Sequence, residues 1–202
     1  MIATPVEITE EGSGEVPTPL DPYYIGREIT IGTEKFNVIS SDATTVTMLA
    51  QDKIGGVVFS YESGWEYSPG PKEIDIWEWS PNISNLIDEY VNYLKTEYGV
   101  DVTGNLITLK ELGDLGCTVP TDYAWGDIAW DDLEEDTQTC ADSVYSDWLI
   151  LNDSMGYWTR SAYPGDSDFI WIVDEWGDLI TDDYDMYYYS VRPVITISKS
   201  LI

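Results

Sequence analysis

The chain contains no histidine. That removes the commonest general base and the commonest metal ligand. It excludes Ser–His triads and histidine-based zinc sites. Basic residues are scarce: nine Lys and Arg stand against 38 Asp and Glu, for a net charge of −29. Nucleic-acid binding depends on cations that neutralise phosphates, so no nucleic-acid partner is expected. An anionic membrane surface is disfavoured on the same ground. No apolar run approaches the roughly 20 residues of a membrane helix, so direct membrane insertion is not expected. Glycine patterns for phosphate loops and dinucleotide sites are missing. With 38 carboxylates, acid pairs arise from composition alone and make no case for glycosidase chemistry. The expectation is a non-enzyme with no cofactor and no metal.

What is present points to one globular domain. An apolar content of 43% is that of a folded chain, and 202 residues suit a single core. The acidity serves solubility; a cationic ligand, calcium or a salty environment are the sharper readings. Residues 1–22 lack a positive n-region and an apolar h-region, and their Pro, Glu, Gly and Thr content reads as a flexible tether, not a signal peptide. Residues 23–202 form the domain. Within it, Glu28-Ile29-Thr30-Ile31 alternates, Gly32-Thr33-Glu34 turns, and Phe36, Val38 and Ile39 make a second strand. Ser41-Asp42-Ala43 turns again before Val46, Met48 and Leu49. The Gly-rich stretch 54–71 reads as loop, with Phe59, Tyr61, Trp65 and Tyr67 as aromatic pins. Ile83, Leu86, Ile87, Tyr90, Val91, Leu94 and Tyr98 recur at spacings of three and four, which predicts a helix over 81–99. Pro81 suits its first position and Gly99 its end. Thr108-x-x-Glu111 has capping-box spacing and predicts a second helix that Gly116 can end. The acidic stretch 125–136, with Asp127, Asp131, Asp132, Glu134, Glu135 and Asp136, reads as a solvated loop, with calcium as the alternative. It has no EF-hand spacing.

The last third, Tyr157 to Ile197, is of a different character. Its ends read as strands, Tyr157 to Ser161 leading into the turn Tyr163-Pro164-Gly165 and Val191 to Ile197 alternating β-branched and polar residues. Between Arg160 and Arg192 there is no basic residue. The interval is instead crowded with tyrosine and aspartate. Tyrosine offers a large contact area with few rotors, and small polar neighbours add adaptable hydrogen bonds, the composition of a binding surface. The candidate contacts are Tyr163, Asp166, Ser167, Asp168, Asp174, Asp178, Asp182, Asp183, Tyr184, Asp185, Tyr187, Tyr188 and Tyr189. For the run 187–189, strand alternation turns at least one ring inward. Trp158, Arg160, Trp171, Gly177, Arg192 and Pro193 are the expected scaffold, with Trp158 and Trp171 in the core, Gly177 in a hairpin turn, and Arg192 holding loop carbonyls or a carboxylate.

Tyr157-Trp158-Thr159-Arg160-Ser161, a strand with Trp171 and Val173, then Gly177 and Val191-Arg192-Pro193-Val194-Ile195 together resemble the C-type lectin fold. The resemblance is to a group common in phage and bacterial surface proteins that includes the variable proteins of diversity-generating retroelements. It covers about Tyr24 to the end. It implies an α+β fold of antiparallel sheets with two helices, extracellular or on a cell or virion surface. It also implies a C-terminal variable region, about 157–191, that binds a protein or other surface ligand. In such proteins adenine-directed mutagenesis turns Asn codons into Tyr, Asp, Ser, His or Gly codons, and the Tyr and Asp crowding at 182–189 is what that would leave. The stripe on 81–99 and the many Trp residues suggest an adequate core, so a monomer or weak association is expected. The lectin E-P-N and W-N-D motifs for calcium-bound sugar are absent. Similar domains often carry a cysteine pair where Cys117 and Cys140 stand, and a disulfide is expected. Two buried thiols, or the cysteine pair of formylglycine-generating enzymes of the same fold class, are the other readings, though no further site residue of those enzymes has a match. A calcium-dependent binding module, or a structural subunit of a pilus or phage tail, are the rival functions.

Overall fold

The computed structural model of the chain describes residues 21–54, 81–120, 138–151, 156–162, 169–183 and 189–202. The glycine-rich stretch from residue 55, the acidic stretch 125–136 and residues 1–20 lie outside the described residues.

The opening meander is β1 (Glu28–Ile31), β2 (Glu34–Ser41) and β3 (Thr45–Ala50), paired antiparallel. Gly32-Thr33 joins the first two strands, so Ile31 faces Glu34. Asp42 closes the second turn. Its carboxylate accepts the N–H groups of Thr44 and Thr45, each at 2.7 Å, and the Thr45 hydroxyl at 2.8 Å. Those bonds hold Asp42 well below the usual carboxylate range. At the last residues of the expected tether, Asp21 pairs with Lys199 at 3.2 Å and accepts from the Ser41 hydroxyl.

α1 (Pro81–Tyr98) carries the apolar stripe read from the sequence: Ile83, Ile87 and Leu94 are fully buried and Tyr90 nearly so. It packs on β4 (Val102–Asn105). The contact is close enough that a Cβ on Gly104 would stand 2.5 Å from the Ile87 side chain. α2 (Leu109–Asp114) begins at Thr108 with both halves of the capping box formed, the Thr108 hydroxyl accepting from Glu111 N–H and the Glu111 carboxylate accepting from Thr108 N–H. A single turn, α3 (Ser146–Leu149), precedes β5 (Tyr157–Ala162), β6 (Phe169–Val173), β7 (Leu179–Asp183) and β8 (Val194–Ser198).

These strands make two antiparallel sheets. One has the order β1-β2-β3-β8-β4, and the other is β5-β6-β7. The chain is therefore α+β, mostly antiparallel, with three α-helices among the described residues. None of the described helices is long and apolar enough to cross a membrane. The closing strand β8 lies between β3 and β4, which returns the C-terminal third to the middle of the N-terminal sheet. It starts at Val194, not at Val191 as alternation suggested. Val191 makes only an isolated bridge to Ile54, Arg192 turns its side chain inward, and Pro193 has no N–H to give a ladder.

The core has three parts. α1 covers one face of the larger sheet through Phe36, Val38, Met48, Leu94 and Ile195. Ile39, Leu49, Ile107, Leu112, Leu149, Tyr157, Trp171 and Val173 fill a second cluster. Ile83, Ile87, Leu106, Trp158, Ile170 and Ile172 fill the third. Neighbouring residues of β5 and β6 thus enter different clusters, so the three-stranded sheet is covered on both faces.

Candidate functional site

The candidate surface is carried by the three-stranded sheet, and it rests on buried residues. Trp158 is fully buried and Trp171 almost so, but on opposite faces of the sheet. Thr159, between Trp158 and Arg160, donates its hydroxyl to the Trp171 carbonyl at 2.7 Å in full burial. β5 is tied to the start of α2 by Arg160 N–H donating to the Ile107 carbonyl at 2.8 Å, and by the Ser161 hydroxyl accepting from Leu109 N–H at 3.0 Å. Partial burial lowers the Arg160 guanidinium from its ordinary value.

Arg192 is the deepest ionic group among the described residues, with 1% of its surface exposed. Its Nε donates to the Ala50 carbonyl at 2.6 Å and Nη1 to the Leu149 carbonyl at 2.8 Å, while Nη2 donates to the Trp148 carbonyl. The guanidinium carbon sits 5.2 Å from the centre of the Tyr157 ring, and the Tyr157 hydroxyl shares the Leu149 carbonyl at 2.9 Å. Burial pushes Arg192 below, and Tyr157 above, their ordinary pKa. A planar fork with several donors suits this task, since it satisfies main-chain oxygens from separate segments at once. Of the two roles the sequence left open, carbonyl and carboxylate, the described partners are carbonyls.

At one end of the sheet, residues 174–178 form the β6–β7 turn. Asp174, though expected on the contact surface, is 6% exposed. Its carboxylate accepts the N–H groups of Trp176, at 2.9 Å, and Asp178, at 2.8 Å, which makes it the cap of the turn. Burial raises the Asp174 pKa, and those two N–H groups oppose the rise. Gly177 has φ of 90° and would place a Cβ 2.5 Å from Ile150, so the hairpin needs glycine there. The Gly177 carbonyl accepts from Cys140 N–H at 2.7 Å. Cys140 is bonded to Cys117, with the sulfurs 2.02 Å apart. Asp178 is half-buried in a bridge to Thr139. The turn's exposed side chain is Trp176, with 68% of its surface open. Trp176 is not among the expected contacts, since Trp176-Gly177-Asp178 has only a superficial likeness to the lectin W-N-D motif; an aromatic between an acid and the glycine of a tight turn is the signal that marks it.

The other end of the sheet carries the opposite character. Ile170 faces Ala162 and Asp182, and Phe169 faces Asp183. The chain therefore leaves β5, enters β6 and leaves β7 at one level. From there depart the segments with Tyr163, Asp166, Ser167 and Asp168, and with Tyr184, Asp185, Tyr187 and Tyr188, all of which lie outside the described residues. β6 spans five residues, so this end is about 15 Å from the Asp174 turn. The structure thus divides the candidate aspartates: Asp182 and Asp183 close β7 at this end, and Asp174 and Asp178 stand at the far one.

Tyr189, the one residue of its run among the described residues, turns inward. It is 7% exposed, and its ring meets that of Trp158 edge to face, with centres 5.0 Å apart. Its hydroxyl donates to the Asp182 carboxylate. Burial is the main cause that raises the Tyr189 phenol, with the Asp182 bond second. Tyr189 and Asp182 thereby join this end of the sheet to the Trp158 core. No titratable cluster among the described residues has the makings of a metal site.

No protein-family profile, no curated protein and no solved structure matches this chain.

Proposed function

We propose that this chain is a ligand- or receptor-binding protein of C-type-lectin-like fold, outside the cell or on a cell or virion surface, and not an enzyme. Its display surface is the Tyr/Asp-rich part of the C-terminal third, diversified at the DNA level. The observation that carries the reading is the register of the smaller sheet. Ala162, Phe169 and Asp183, the described ends that flank both Tyr/Asp segments, share one level. Beneath them the backbone is fixed by Trp158, Thr159, Trp171 and Arg192, all buried. Recognition residues on connecting segments over a rigid frame are the general arrangement of binding proteins. A frame that draws its stability from below tolerates changes above it, as a diversified surface demands.

The test is the DNA beside the coding sequence. A reverse transcriptase gene, with a near-repeat of the region for about Tyr163 to Tyr189 that differs at adenines, is the expected finding. A neighbourhood with neither would remove diversification from the reading. Binding would then be decided by display: a library varied at Tyr163, Asp166, Ser167, Asp168, Tyr184, Asp185, Tyr187 and Tyr188 yields binders to unrelated target proteins if the surface is a recognition surface. A folded library that yields none contradicts it.

A further inference from the structure

The geometry points to a binding site on the edge of the larger sheet, a strand-addition edge on β1 that takes an extended, basic segment of a partner protein. β1 is the outermost strand of the larger sheet, and β2 is its one strand neighbour among the described residues. Ile31 and Glu34 flank a two-residue turn, so they form the hydrogen-bonded closing pair of the hairpin. Antiparallel alternation then directs the N–H and C=O of Ile29 and Ile31 towards β2. Those of Glu28 and Thr30 point to the open side.

Beside this edge lies a groove of about 720 Å3 that borders residues 27–32, the full length of the strand. Tyr23, Glu97, Tyr98, Val100, Leu201 and Ile202 line the rest of it, with Leu201 and Ile202 exposed. An open row of main-chain donors and acceptors beside an apolar and aromatic wall is the arrangement in which a peptide adds as a further strand. Main-chain bonds supply affinity, and alternate side chains read the wall.

Charge decides the occupant. The chain carries −29, so a second copy pairing edge to edge would bring another −29 against the first. Two of the groove's three ionic side chains are exposed carboxylates: Glu97, and Glu28, which pairs with Lys35 at 3.2 Å and accepts from the Gln51 amide at 2.9 Å. Its one cation, Arg27, is engaged with the Pro22 carbonyl and lies over the Tyr23 ring, 5.6 Å from the centre. A segment that alternates lysine with β-branched residues complements both the field and the wall.

The experiment uses the full chain, labelled for residue-resolved amide spectra. The probe is the capped peptide Lys-Val-Lys-Ile-Thr-Ile-Lys-Val, with two controls: the same peptide with glutamate for lysine, and the lysine peptide N-methylated at alternate amides. The lysine peptide is expected to shift resonances of Arg27 to Gly32 saturably and to slow Thr30 amide exchange about tenfold or more, with both controls at least about tenfold weaker. Thr30→Pro removes the outward N–H and keeps the β1–β2 ladder, so it should abolish binding without lowering the melting temperature. If that variant does not fold, the N-methylated peptide alone decides. No shift at β1 up to millimolar peptide, unchanged Thr30 exchange, or equal binding by the N-methylated peptide overturns the proposal.

Discussion

At the scale of single residues, the account depends most on Arg192. Its guanidinium serves three carbonyls that lie 142, 43 and 44 residues away in sequence. Arg192→Lys keeps the charge and loses the fork, so at least one buried carbonyl is left unpaired. The expected loss is about 2–4 kcal/mol in urea unfolding, because buried acceptors without partners carry their full desolvation cost. A loss below ~0.5 kcal/mol would mean that the carbonyls are satisfied otherwise. The role of Arg192 was legible from its place between a valine and a proline near the closing strand. Its partners were not, since sequence carries no mark of which distant carbonyl lacks a donor. The same limit applies to Asp174 and Asp182. Each is one aspartate among many, and composition treats them alike. Burial separates them, Asp174 into a turn cap and Asp182 into the acceptor for Tyr189.

At the scale of elements, local signals worked where local physics decides the outcome. The 3.6-residue stripe of α1, the capping box at Thr108 and the meander from Glu28 to Ala50 are each set by residues within a few positions of one another. β4 was not legible, because Val-Thr-Gly-Asn has no alternating apolar pattern and its strand state comes from pairing with β8. α3, a single turn, has no periodicity to read. The Cys117–Cys140 bond ties the segment after α2 to the β6–β7 turn across a separation of 23 residues. Its replacement by a serine pair should cost about 3 kcal/mol by the chain-entropy account of a loop this size. Alkylation without reductant, followed by mass spectrometry, should find no free thiol in protein from an oxidising compartment. Two labelled thiols would contradict the bond.

At the scale of the whole molecule, charge and burial set the response to conditions. With −29 at neutrality, the folded state repels itself, and added salt should raise the melting temperature by screening. The pH response has two arms. Burial raises the Asp174 pKa, so its contribution is full below the ordinary carboxylate value and is lost as pH rises through the raised one. Asp21, Glu28 and Asp42 are lowered, chiefly by hydrogen bonds from Tyr23 N–H, the Gln51 amide and Thr44 N–H respectively. Their contribution is present above the ordinary value and is lost as pH falls through the lowered ones. Calorimetry should therefore show the melting temperature highest near the ordinary carboxylate value, lower above the raised Asp174 pKa and lower again as pH falls through the lowered ones. A steady fall from pH 8 downward would mean that repulsion and Asp174 matter less than the hydrogen-bonded carboxylates. The C-terminal third is expected to separate a frame that specifies the fold from a surface that does not, and two denaturant melts decide it. One variant changes Tyr163, Asp166, Asp168, Tyr184, Asp185, Tyr187 and Tyr188 together to Ser or Asn, leaving Asp182 and Tyr189 in place; the other is Trp171→Ala. The account predicts a change within about 1 kcal/mol for the first and a loss of about 3–5 kcal/mol for the second; comparable losses from both would contradict it.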